Sequence, residues 1–194
     1  GEESFLREYW LGELTKKLSD GPAAEFNSHR FDASNISPQA LLDAVEAMPM
    51  MAERTLVRVD DVDLFKLAER EREQYRGILE DLPEYVCLVF AYDTIEYKPN
   101  GQMRKLSDTI KKHAQVLEFQ KQSERDLCVW IARHFRAENK TISDKLCSYL
   151  VFLTGGGMTQ MAGEIKKICA YASGQEIQRS DIDAVVTPVL NAQT

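Results

Sequence analysis

From Tyr85 to Ala91 the chain reads Tyr-Val-Cys-Leu-Val-Phe-Ala. This unbroken apolar run constrains the fold more than any other feature. A strand with one wet face alternates apolar and polar residues, whereas one that is apolar on both faces needs cover on both, as in a parallel sheet flanked by helices. The sequence before it has the right punctuation. Phe5, Leu6, Tyr9, Trp10, Leu14 and Leu18 mark an amphipathic first helix, and residues 25–31 read as a short strand. Ser37 as N-cap and Pro38 at the first helical position open a helix through Leu41, Leu42, Val45 and Met48 that ends near Pro49. Residues 55–59 predict a strand, residues 64–82 a polar helix capped by Asp63, residues 103–113 another helix, and residues 116–119 a last strand. Strands joined by helices give an α/β fold, an open parallel sheet with helices on both faces.

Beyond Gln122 only helical patterns remain, over residues 124–135, 143–154 and 158–171, with a shorter one from about Ser180. The Gly155-Gly156-Gly157 run and the Ser173-Gly174 pair fit helix ends and tight connections. The expected organisation is an α/β domain over residues 1–121 and a small all-helical domain over residues 122–194.

Hydrophobic residues make up 44% of the 194, enough to bury a sizeable core. No apolar stretch is long enough to span a bilayer, and the first residues lack the basic start and apolar centre of a signal peptide, so no membrane partner and a cytoplasmic location are expected. Cys87, Cys128, Cys147 and Cys169 are widely spaced and read as reduced core cysteines, with neither a zinc site nor a disulfide framework indicated. The net charge of −7 is unevenly spread: residues 1–97 carry −11 and residues 98–194 carry +4. The basic excess begins with Lys98, Arg104, Lys105, Lys111, Lys112, Lys121 and Arg125, either a solvated face or a surface for phosphate or an acidic partner.

A parallel sheet followed by helices raises the question of a nucleotide-binding ATPase. Such a site needs Gly-x-x-x-x-Gly-Lys-Ser/Thr, because backbone amides and the lysine neutralise the phosphates while the hydroxyl holds magnesium. The chain contains no such motif. Asp60-Asp61 at the end of a strand stands where a metal-binding carboxylate would lie, and Asp93 where a phosphate sensor would, but without a phosphate cradle both read as structural. His29, His113 and His134 accompany no Ser or Cys nucleophile motif, so no catalytic residue, cofactor or metal site is expected.

Met48-Pro49-Met50-Met51 puts soft apolar side chains where the backbone must leave a helix. Composition alone favours burial under the following strand, since Met is usually buried. The alternative is a plug for a partner's pocket, a use to which flexible, polarisable methionine is suited.

Several segments, in order, resemble the delta subunit of bacterial DNA polymerase III, in the clamp-loader branch of the AAA+ ATPases. They are Gly1-Glu2-Glu3-Ser4-Phe5-Leu6 in place of a phosphate loop, Ala47-Met48-Pro49-Met50-Met51 before Arg54-Thr55-Leu56-Val57, and Leu88-Val89-Phe90 in the central strand. The helical part continues through Trp130-Ile131, Ile142-Ser143, Met161-Ala162-Gly163-Glu164-Ile165 and Ile182-Asp183-Ala184-Val185. The resemblance implies an AAA+ sheet, with its first strand upstream of Gly1, followed by a helical lid and then a collar domain beyond this chain. It implies a non-catalytic subunit of the polymerase III holoenzyme that binds the beta sliding clamp and opens the ring for loading onto primed DNA. ATP would be handled by neighbouring loader subunits, and the implied partners of the full-length protein are the sliding clamp and the other loader subunits, gamma/tau and delta prime. The clamp-binding positions, often Leu-Phe in the family, fall here on Met50 and Met51, beside Pro49, with Lys98, Arg104, Lys105, Lys111 and Lys112 as candidates for DNA or subunit contact. Two alternatives stand beside it: an ATP-hydrolysing protein whose phosphate loop lies upstream, and a DNA-binding module working through the basic half. Two carboxylates at the start of the first helix weigh against the former, and the lack of a groove-reading motif weighs against the latter.

Overall fold

The computed structural model describes residues 3–18 and 23–189, which divide into two compact units, residues 1–119 and 120–194. In the first unit, strands β1 (Ser28–Asp32), β2 (Thr55–Asp60) and β3 (Val86–Ala91) form a parallel sheet in the order β1-β2-β3. The register sets Val59 between Phe31 and Phe90, and Val57 beside Leu88. Side chains alternate across a strand, so these residues share one face. That face is covered by α2 (Pro38–Glu46), α3 (Glu69–Glu80) and α4 (Arg104–His113), whose Leu41, Val45, Tyr75, Ile78, Leu106 and Ile110 complete the core. On the opposite face lie Leu56, Arg58 and Asp60. Helix α1 (Ser4–Leu18) is tied to that face by Glu8, which accepts from Arg58 Nη2 at 3.1 Å.

Several element boundaries depart from the sequence reading. Residues 24–27 form a 3-10 turn rather than the start of β1, because the Asn27 side chain folds inward and Phe26 N–H donates to Ala23 O at 3.1 Å. Helix α2 stops at Glu46, before Met48. Pro49 pushes the residues before it out of helical geometry, Ala47 is already extended (φ −61°, ψ 120°), and Tyr85 hydroxyl donates to the Glu46 carbonyl at 3.1 Å in place of a further helical turn. Helix α3 begins at Glu69 rather than Leu64. Asp63 caps a turn instead, accepting from Phe65 N–H at 3.0 Å, while Val62, Leu64 and Phe65 bury their side chains in the core. Residues 116–119 form no ladder; Phe119 O accepts from Glu3 N–H at 3.0 Å, and Val116 and Leu117 are exposed. A strand needs a paired neighbour, and none of the described residues supplies one. For the same reason β3 is the sheet edge among the described residues, and Cys87 to Phe90 are half-buried rather than enclosed on both sides.

The second unit is helical: α5 (Glu124–Ala137), α6 (Asp144–Thr154), α7 (Met158–Tyr171) and α8 (Arg179–Val185). Ser123 and Ser143 cap α5 and α6, and Gly155 ends α6 in the left-handed conformation at φ 64°. Ile131, Phe135, Cys147, Leu150, Met161, Ile168 and Ile182 are fully buried and make the core.

Candidate protein-binding site

The site is the loop between α2 and β2. Helix α2 is anchored at its start, where Ser37 Oγ accepts from Ala40 N–H at 3.1 Å, and along its length by Leu41, Ala44 and Val45 in the core. Its far end therefore has a fixed position. Beyond it Met48 is 81% exposed, Met50 52% and Met51 87%, with Pro49 half-buried between them. Core packing of the methionines is not what the structure shows.

The loop carrying these side chains is nonetheless held. Asn27, only 1% exposed, reaches it from the 3-10 turn: its Nδ2 donates to Met50 O at 2.7 Å and to Ala23 O at 3.0 Å, and its Oδ1 accepts from Met50 N–H at 2.6 Å. Met51 follows at φ 53°, a left-handed conformation that non-glycine residues seldom take. Phe26, next to Asn27, is 64% exposed. Sequence reasoning missed both residues. An Asn before a strand reads as a turn former, and its distant partner, Met50, leaves no periodic trace.

The candidate basic residues are dispersed. Lys98 is exposed and pairs with Glu96. Arg104 and Lys105 lie exposed in the first turn of α4, and Lys111 and Lys112 in its last, opposite the buried Leu106 and Ile110. Cations in a last turn complement the helix dipole; those in the first do not.

At the places where an ATPase would hold nucleotide, the polar groups are already engaged. Glu3, 7% exposed, is the N-cap of α1, and its Oε1 accepts from Phe5 N–H at 3.3 Å; Glu2 lies outside the described residues. A carboxylate thus occupies the helix end to which a phosphate would be drawn. Asp60 accepts from Arg30 Nε and Arg58 Nε, both at 2.6 Å. Asp61 accepts from Asp93 N–H at 2.7 Å and Thr94 Oγ1 at 2.7 Å, tying the end of β2 to the loop after β3. Burial raises the Asp61 carboxyl, but the hydrogen bonds from Asp93 and Thr94 outweigh it and hold the group below its ordinary value. Asp93 pairs in turn with the buried Arg7, whose Nη1 donates to Tyr92 O at 3.1 Å. Among the described residues no three His, Cys, Asp or Glu side chains are grouped to hold a metal ion.

The model of the family described as DNA polymerase III, delta subunit, matches residues 1–120, more than half of the chain. The chain belongs to that family. It is 26% identical over 192 residues to the DNA polymerase III subunit delta of Bacillus subtilis, covering 96% of this chain and 55% of that protein. Its fold is similar to that of the solved Bacillus subtilis DNA clamp loader delta protein (YqeN), with TM-score 0.66 at 22% identity, covering 97% of this chain and 57% of that one. It is also similar to that of the Thermotoga maritima RuvB Holliday junction branch migration motor, with TM-score 0.53 at 14% identity over 83% of this chain and 52% of that one. The α/β unit of this delta-family chain thus has an AAA+-like fold. The chain spans little more than half the length of the delta relatives it matches.

Proposed function

We propose that the chain is the clamp-contacting part of a clamp-loader delta subunit, which binds the beta sliding clamp through Met50 and Met51, with Pro49 shaping the loop, and favours the open ring for loading onto primed DNA. The observation that carries this reading is the exposure of two adjacent apolar side chains at the end of a core-anchored helix, in a delta-family chain. Methionines fill an apolar pocket by adjusting rotamers, and a few such anchors dominate interface energy. Ring opening follows from differential affinity, since a ligand shifts an equilibrium only by how much better it binds one state. The capped start of α1 and the engaged Asp60 and Asp61 support a subunit without its own ATP chemistry, working beside gamma/tau and delta prime in the polymerase III holoenzyme.

The test is Met50→Ala combined with Met51→Ala in the complete protein, with clamp affinity and thermal unfolding both measured. Affinity is expected to fall by about 2 kcal/mol or more, the scale of an interface hot spot, with the melting temperature nearly unchanged because both side chains are exposed. Unchanged affinity would reject the site.

A further inference from the structure

Exposure alone makes a poor anchor. Met48 to Met51 lie between a helix end and a strand with no backbone ladder of their own, and a free loop would lose conformational freedom on binding, at a cost to affinity. The Asn27 side chain meets this need. It is an amide buried to 1% exposure, with its donor and acceptor both directed at the backbone of one residue, Met50, at 2.7 and 2.6 Å. A planar amide bonded in this paired way fixes the positions of both peptide groups that flank the Met50 Cα. Its remaining donor reaches Ala23 O at 3.0 Å, so the amide is itself held by the 3-10 turn. The next residue outward is Met51 at φ 53°, a conformation disfavoured for a side chain of its kind and retained only where its surroundings impose it.

From these contacts we infer that Asn27 is the positioning residue of the clamp contact: its amide holds Met50 and the left-handed Met51 in the conformation the apolar pocket of the clamp receives. This rests on the proposed role of the methionine pair. At 1% exposure Asn27 offers almost no surface to a partner. It acts by removing the ordering cost from binding and by directing two side chains outward from a backbone that would otherwise sample many states.

The experiment is a double-mutant cycle on the complete protein, with the sliding clamp of the same organism as probe and affinities referred to the folded fraction. Met50→Ala/Met51→Ala is one arm and Asn27→Ala the other, and amide hydrogen exchange at Met50 is compared between the parent and Asn27→Ala. Asn27→Ala is expected to weaken clamp binding about tenfold or more and to speed Met50 exchange by a similar factor, and to add almost nothing in the Met50→Ala/Met51→Ala background, because coupled residues are non-additive. Should Asn27→Ala fail to fold, Asn27→Asp takes its place. It keeps an oxygen facing Met50 N–H but sets a carboxylate against Met50 O and Ala23 O, and the same weakening is expected. Full additivity, or normal affinity with Met50 exchange accelerated, would overturn the positioning role while leaving the methionine site standing. If the methionine pair proves neutral, the site falls, and Asn27 with it.

Discussion

Met51 shows how a single residue divides stability from function. Its left-handed backbone costs a non-glycine residue about 1 kcal/mol or more, and 87% of its surface faces solvent, so little packing repays that cost locally. Met51→Gly should therefore leave folding stability within about 0.5 kcal/mol of the parent, the relief of strain offsetting the greater freedom of glycine in the unfolded chain. Clamp affinity should fall in the same variant. Denaturant unfolding and a binding titration check the pair of outcomes, and a large loss of stability would show that the side chain packs where the structure leaves it exposed. Asn27 is the complementary case, a buried residue whose hydrogen bonds serve an exposed neighbour.

At the scale of elements, the sheet is secured at its carboxyl end by side-chain hydrogen bonds between the loops that follow β2 and β3. Asp61 links β2 to the loop after β3 through Asp93 N–H, Thr94 N–H and Thr94 Oγ1. Its folded-state pKa is depressed below 3.8, so the stability it confers is present above that value and is lost as pH falls through the folded pKa. Asp61→Asn should therefore be less stable than the parent at neutral pH, by about 1 kcal/mol for the weakened charge-assisted hydrogen bonds. The two proteins should converge in stability once the pH falls below the depressed folded-state pKa of Asp61. Urea unfolding at pH 7 and at acid pH measures this, and a difference that persists undiminished into acid would assign the effect to packing. The elements that departed from sequence expectation did so for separate reasons. Helix α2 ended early where Pro49 and the Tyr85 hydroxyl bond to Glu46 O act together, the run after Asp63 stayed non-helical because its apolar side chains enter the core, and residues 116–119 formed no ladder because none of the described residues pairs with them.

For the molecule as a whole, charge is the property that local structure leaves undecided. The exposed cations of α4 lie on a surface separate in sequence from the methionine loop, so the two can be altered independently. Lys111→Glu with Lys112→Glu should leave clamp affinity intact while costing about 1 kcal/mol or less of stability, since cations in a last turn favour the helix dipole. If α4 contacts DNA, the reversal should weaken DNA binding by the complete loader and flatten its salt dependence, as loss of phosphate contacts requires. Filter binding at several salt concentrations checks the second outcome. Loss of clamp binding would place the partner on α4 instead.

What the sequence determined by itself were the features written locally or in a repeated pattern. The apolar run at Val86 to Ala91, the Ser37 and Pro38 helix start and the glycine at the end of α6 announced the α/β order and the helices, because burial periodicity and capping depend on nearby residues. The ordered family motifs carried the delta-subunit resemblance that the family model supports. Tertiary structure alone decided whether Met50 and Met51 would be core or surface, since methionine chemistry suits both. It alone brought Asn27 to Met50, 23 positions away in sequence, and Asp61 to Thr94, 33 positions away. Such contacts depend on how the sheet brings distant loops together, and neither hydrophobic period nor propensity encodes that distance.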